Sequence, residues 1–183
     1  MKICAALALF ALMGTPMASA APVDKGFERV YRSAYRDMIR DAARAYDGGD
    51  YDEAFTLFRR NACAGDKSSQ AALGEMYLLG QGVARNDLIG YAWLKVAAEF
   101  RFPGYQSVTR RLHDAMTPGQ REIADARADE LIRLYGLRAT GMSCNARASR
   151  GGHITDSVVC TPREDGSMVR LRRCEDDADP ALP

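Results

Sequence analysis

GDKSSQAALGEMYLLGQGVARNDLIGYAWLKVAA, residues 65–98, is the stretch whose reading decides the fold. Its apolar residues recur at steps of three and four, first as Ala72, Leu73, Met76 and Tyr77, then as Tyr91, Trp93, Leu94, Ala97 and Ala98. That spacing predicts two amphipathic helices. Asp66 is placed to cap the first and Asn86 the second, because a short polar side chain can accept a hydrogen bond from an otherwise unpaired amide of the first turn. Gly80 and Gly82 sit between the helices, where a tight bend needs backbone angles that other residues resist.

The pattern continues on both sides. Upstream, Gly48 and Gly49 precede Asp50, which caps a helix carrying Ala54, Leu57, Phe58 and Ala62. Asp50, Ala54, Leu57 and Ala62 reappear as Asn86, Gly90, Trp93 and Ala98, each 36 positions further on. A fixed period of that length, built from helix pairs, marks a helical solenoid in which each pair buries its apolar face against the next. A first helix is predicted from Phe27 through Val30, Tyr31, Ala34, Met38, Ile39, Ala42, Ala45 and Tyr46. Tyr31, Tyr35 and Trp93 are read as core residues. Downstream, Phe102-Pro103-Gly104 breaks the chain before a fifth helix from Tyr105 to Met116. Thr117-Pro118-Gly119-Gln120 opens a sixth with an N-cap, a proline in the first turn and the partner of a capping box. Gly136 ends it.

Within residues 45–101, Gly65-Asp66, Gln70, Leu73-Gly74, Tyr77, Gly80-Gln81-Gly82-Val83, Trp93 and Ala97-Ala98 follow the order and spacing of a Sel-one-like repeat, and the segment resembles that family of tetratricopeptide-like helical repeats. Tyr91 to Glu99 looks especially like bacterial members. Ser69, Asn86, Gly90 and Arg101 depart from the family pattern. Gly90 alone costs about 1 kcal/mol of helix propensity. The resemblance implies a repeat framework of Leu73, Gly74, Tyr77, Gly80, Gly82, Trp93, Ala97 and Ala98. Gly74 and the paired alanines would let helices approach, with Tyr77 and Trp93 filling the space between hairpins.

After Gly141 the periodicity changes to two. Residues 153–160 and 167–172 are predicted to form a β-hairpin around the turn 162–166. A lone hairpin is marginal in water, so it must dock on the helices or be crosslinked. Residues 175–183 are acidic and contain proline, and the last of them, 177–183, are expected to be disordered.

The first residues differ from all of this. Lys2 is followed by an apolar run over residues 3–13, and Ala18-Ser19-Ala20 offers the small side chains a signal peptidase reads. A membrane-spanning helix needs roughly 20 apolar residues, so residues 1–20 are read as a cleaved signal peptide, with cleavage after Ala20 or Ala21. Four cysteines then remain, Cys63, Cys144, Cys160 and Cys174, and an even number in an exported chain predicts disulfides. Four cysteines permit three pairings. A further resemblance, of the segment from Cys144 through Gly151-Gly152-His153 to Cys160 to a piece of small exported bacterial proteins, implies Cys144 with Cys160 and Cys63 with Cys174. Zinc held by Cys144, His153, Cys160 and Cys174 is disfavoured, since no pair has the short spacing of structural sites.

The 183 residues thus divide into a signal peptide (1–20), a helical repeat domain (21–140, repeat core about 45–101), a Cys-rich β-hairpin tail (141–176) and a disordered end (177–183). The fold class is mainly α: an α/α helical-repeat solenoid with a small C-terminal hairpin. Lys plus Arg number 25 and Asp plus Glu 24, giving a net charge of +1, which argues against nucleic acid as a partner. His113 is read as a surface residue, Ser68, Ser69 and Ser143 lack the setting of a nucleophile, and Arg170, Arg172 and Arg173 read as a solvated strand edge. No catalytic, metal or cofactor residues are identified. The expected function is an exported adaptor that binds a peptide or protein in the cell envelope, with Gln70 and Glu75 as contacts. The competing readings are a small cell-envelope enzyme and a disulfide-stapled inhibitor.

Overall fold

The computed structural model describes residues 26–147 and 157–174. The chain enters through strand β1 (Phe27–Tyr31) and runs into α1 (Arg32–Asp47), α2 (Tyr51–Cys63), α3 (Lys67–Leu79) and α4 (Asp87–Ala98). Then come α5 (Pro103–Ala115), α6 (Pro118–Tyr135), the single turn α7 (Leu137–Thr140), and strands β2 (Met142–Arg147), β3 (Ser157–Pro162) and β4 (Met168–Arg172). The protein is mainly helical, and its helices pack as neighbours in sequence: α1 on α2, α2 on α3, α3 on α4, and α4 on both α5 and α6.

The predicted caps form. Asp50, Asp66 and Asn86 accept from the amides of Glu53, Ser69 and Ile89, and Thr117 with Gln120 closes a capping box. The main core lies where α2, α3, α4 and α6 meet, with Trp93 stacked on Tyr135 at 5.8 Å between ring centroids and Leu73, Tyr77 and Leu131 around them. Helices α3 and α4 cross where two glycines face each other. A β-carbon on Gly74 would lie 2.8 Å from the Gly90 carbonyl oxygen, and one on Gly90 would lie 2.8 Å from that of Gly74. Gly82, at φ 66°, passes so close to the Tyr51 carbonyl that no side chain fits.

Expectations about the chain ends are corrected. The first helix does not begin at Phe27. Residues 27–31 are extended and pair antiparallel with β4, Val30 facing Val169, and the helix starts only at Arg32. Tyr31, expected in the core, is 61% exposed as a result. A C-terminal Cys-containing hairpin is present, but between other strands than expected: β3 pairs with β2 and β4 with β1, so the turn at 162–166 joins strands of two separate ribbons. Residues 153–156 of the expected first strand lie outside the described residues. The reason is common to both. Strand pairing between distant segments leaves no local trace, and the apolar residues that satisfy a helical period in 27–46 serve an extended segment equally well at its start. Arg170 and Arg172, read as a solvated edge, lie over the Phe27 ring at 4.6 and 5.3 Å.

The ribbons close over a second core of Tyr35, Ala64, Met142, Val169 and Leu171. They are fastened by two disulfides, Cys63–Cys174, whose α-carbons are 5.1 Å apart, and Cys144–Cys160, at 4.0 Å. The first ties the end of β4 to α2; the second joins directly opposed residues of β2 and β3.

Candidate cleft between helices α4, α5 and α6

Helix α5 carries its apolar residues Tyr105, Val108 and Leu112 on one face, and they pack on Ala71, Leu94 and Ala97 of α3 and α4. This turns the opposite, polar face toward α6. The two helices are joined where Arg121 donates from Nε to the His113 carbonyl (2.8 Å) and from Nη2 to that of Asp114 (3.1 Å), filling acceptors that the end of α5 leaves open. Beyond that joint an opening lies between them, and α4 forms its floor.

The space enclosed is an open cleft of about 490 Å³. Tyr91, Lys95, Ala98 and Glu99 line it from α4, Ile132 from α6, and Gln106, Thr109, Arg110 and His113 from α5. The α5 residues are spaced three and four apart, one helical face. An adjoining hollow of about 570 Å³, lined by Arg133, Arg138 and Ala139, shares Glu99 and Ile132 with it.

At the joined end of the cleft Asp125 is a hub. It accepts from the Tyr91 hydroxyl at 2.7 Å and from Lys95 Nζ at 2.8 Å, and His113 Nε2 lies 3.5 Å away. Partial burial alone would raise the Asp125 carboxyl; hydrogen bonds from Lys95 and Tyr91, with the charges of Lys95 and His113, outweigh it and hold it below the usual carboxylate range. Burial, then the bond to Asp125, pushes the Tyr91 phenol far above its ordinary value. Tyr91 therefore stays a hydrogen-bonded phenol throughout the working pH range.

Beneath the other end lies a buried charge. Lys67 is fully buried, and its ammonium donates to Gln70 Oε1 (2.9 Å), the Val96 carbonyl (2.9 Å) and Glu99 Oε2 (2.8 Å). Its three protons thus meet three acceptors. Burial pulls the Lys67 pKa down and Glu99 opposes it. The same Glu99 oxygen accepts from the Leu137 amide at 2.9 Å, which anchors α7 to α4.

The sequence-predicted contacts fare differently. Gln70 does not reach the surface: it is fully buried, and its amide donates to the carbonyls of Ala62 and Tyr135, both at 2.9 Å. It is a tie between α2, α3 and α6, because the face of α3 on which it stands is covered by its neighbours. Glu75 is exposed on α3, outside the cleft. Leu73, Gly74, Tyr77, Trp93 and Ala97 are buried in the repeat core, and Gly80 and Gly82 take positive φ in the turn that follows α3. Ala98 is half-buried at the cleft. His113, read as a plain surface residue, faces Asp125 and the Tyr91 ring, 6.0 Å between centroids. Sequence reasoning missed Tyr91, Lys95 and Asp125 as a group. The signal was available in part: Tyr91, Lys95 and Glu99 share one face of α4, and Asp125 and Asp129 share one of α6. That these two faces meet is a tertiary fact.

Among the described residues, no group of His, Cys, Asp and Glu is arranged to hold a metal ion, and no helix is long and apolar enough to cross a membrane. No protein-family model and no curated protein matches the chain. Among solved structures, it is similar to a protective antigen present in uropathogenic Escherichia coli strains, described as displaying an SLR fold. The likeness has a TM-score of 0.47 and 21% sequence identity, over 60% of this chain and 27% of that one. The chain therefore spans about a quarter of the length of that antigen.

Proposed function

We propose that the protein is an exported interaction module that takes a peptide or protein segment of the cell envelope into the cleft between α4, α5 and α6. The observation that carries this reading is the open cleft between α5 and α6. It is a trough with Tyr91, Lys95, Ala98 and Glu99 on its floor and Ile132 and the polar face of α5 as its walls, held by helices packed into the buried cores. A trough of this form suits an extended segment better than a small molecule, which pockets usually enclose. Export is supported by the charged start, short apolar run and Ala-x-Ala exit of residues 1–20, and by two cysteine pairs that fit an oxidising compartment.

An acid–base enzyme is the alternative, because His113 beside Asp125 is a pairing that such enzymes use. Asp125, however, is engaged by Lys95 and Tyr91, and the one hydroxyl nucleophile lining the cleft, Thr109, donates its proton to the Tyr105 carbonyl at 2.7 Å. A photo-crosslinker placed at Thr109 in the cell should give discrete protein adducts that the same group at Glu53, exposed on α2, does not. Equal labelling at both positions would remove the cleft from the account. Hydrolysis of purified cell wall by the protein, lost in His113→Ala, would put the enzyme first. N-terminal sequencing of the exported form should begin at Ala21 or Pro22.

A further inference from the structure

The cleft and the hollow beside α7 share Glu99 and Ile132 and so lie side by side, and we treat them together as a trough. Tyr91 to Glu99 along α4 covers about 12 Å at the rise of a helix, and the hollow prolongs it. That length seats roughly four to six residues of extended chain at about 3.3 Å each.

The charges along it are unequal. Lys95, Arg110, Arg133 and Arg138 line the trough, with the carboxylates of Glu99 in it and of Asp125 and Asp129 beside Lys95. Glu99 is already committed to Lys67 and to the Leu137 amide, and Lys95 is committed to Asp125. Among the described residues Arg133 has one distant ion-pair partner, Glu130 at 4.0 Å. Arg110 and Arg138 are exposed and form no ion pair among the described residues. Between these guanidinium groups the floor is aliphatic, made by Ala98, Ile132 and Ala139. The chain's net charge is +1, and the charges left unpaired along the trough, among the described residues, are those of Arg110 and Arg138.

Building on the interaction-module reading, we propose that the trough selects an extended acidic segment of a partner protein. Carboxylates pair with Arg110 and Arg138, and an aliphatic side chain between them rests on Ile132. Guanidinium suits this task, since its planar fork binds a carboxylate through two parallel hydrogen bonds and loses little hydration in doing so. Nucleic acid fits less well: the protein has no overall cationic excess, and the exposed aromatics Tyr31 and Tyr51 lie outside the trough.

The test uses the full mature chain with both disulfides and the peptide acetyl-Glu-Glu-Leu-Glu-Glu-amide, compared with its Gln analogue. The acidic peptide should bind at least about tenfold more tightly and weaken as salt is raised. Joint replacement Arg110→Glu and Arg138→Glu should remove the preference by about the same factor and favour the Lys analogue, with an unchanged melting temperature because both positions are exposed. Equal binding of the Glu and Gln peptides would overturn acid selection while leaving a peptide-binding cleft in place. Binding that survives the double replacement, or failure of either peptide to bind while Thr109 still crosslinks, would overturn it too. The chain's own Glu175, Asp176, Asp177 and Asp179 offer the same chemistry in cis. If the peptide binds only a variant ending at Cys174, the occupant is that segment, and the partner proposal fails.

Discussion

Lys67 and Asp66 are adjacent residues that the fold buries completely, and they respond to burial in opposite directions. Lys67 is stabilised by three acceptors, so Lys67→Met removes the counter-charge from Glu99 and leaves Gln70 Oε1 and the Val96 carbonyl without a donor. Breaking a buried pair from one side typically costs about 3–5 kcal/mol; Glu99 reaches solvent, so the lower end is expected here, and Glu99→Gln in the same background should recover part of it. Urea unfolding at neutral pH measures both. Asp66 is different. Burial raises its carboxyl, and that outweighs the hydrogen bonds from the Ser69 amide and hydroxyl and the charge of Lys67. A carboxyl raised in the folded state contributes stability that is complete below its unfolded pKa, about 3.9, and is lost as pH rises through the folded value. Asp66→Asn keeps an oxygen for the Ser69 amide and does not titrate. Its melting temperature relative to the wild type should therefore be more favourable at about pH 8 than at about pH 4. Parallel curves across that range would mean that the Asp66 charge is not penalised.

For the helices, the informative contact is the crossing of α3 and α4. Gly90 looks like a fault in its helix, costing about 1 kcal/mol against alanine. The crossing supplies the reason: each glycine faces the backbone oxygen of the other, and Leu94 and Leu78 close the sides. Adding a methyl to either forces the helices apart, and overpacking of this kind costs about 1–3 kcal/mol. Gly74→Ala and Gly90→Ala should both lower the denaturation midpoint despite better propensity. A midpoint that rises in either variant would contradict the close approach. The same separation matters for function, because α4 is the floor of the cleft and carries Tyr91, Lys95 and Glu99 along one face.

Across the whole molecule, one disulfide joins distant parts of the chain and the other reinforces a single ribbon. Cys63–Cys174 spans 111 residues and holds the last strand against α2, while Cys144–Cys160 closes 16. Each is expected to contribute about 2–4 kcal/mol. Protein isolated from an oxidising compartment should show no free thiol by non-reducing mass spectrometry. Reduction should raise hydrogen exchange in β1 to β4 and leave most helical signal from α1 to α6, since the main helical core is built from Leu73, Tyr77, Trp93, Leu131 and Tyr135. Simultaneous loss of helix and ribbon on reduction would show instead that the two cores fold as one unit.

The amino-acid sequence by itself determined what depends on near neighbours. Helix periods, the caps at Asp50, Asp66, Asn86 and Thr117, the glycine turns and the repeat of 36 positions are all set by residues within a few turns of one another, and they were legible. Only the tertiary structure decided that Phe27–Tyr31 is a strand, because its partner is β4, more than a hundred residues away. It also separated the expected hairpin into two ribbons and placed Gln70 inside. The cleft belongs to the same class. Lys95 and Asp125 are 30 positions apart with no local signal to connect them, and they become one site because α4 packs on α6 while the apolar face of α5 draws it toward α3. Burial and charge pairing are properties of what surrounds a residue, and those surroundings come from distant parts of the chain.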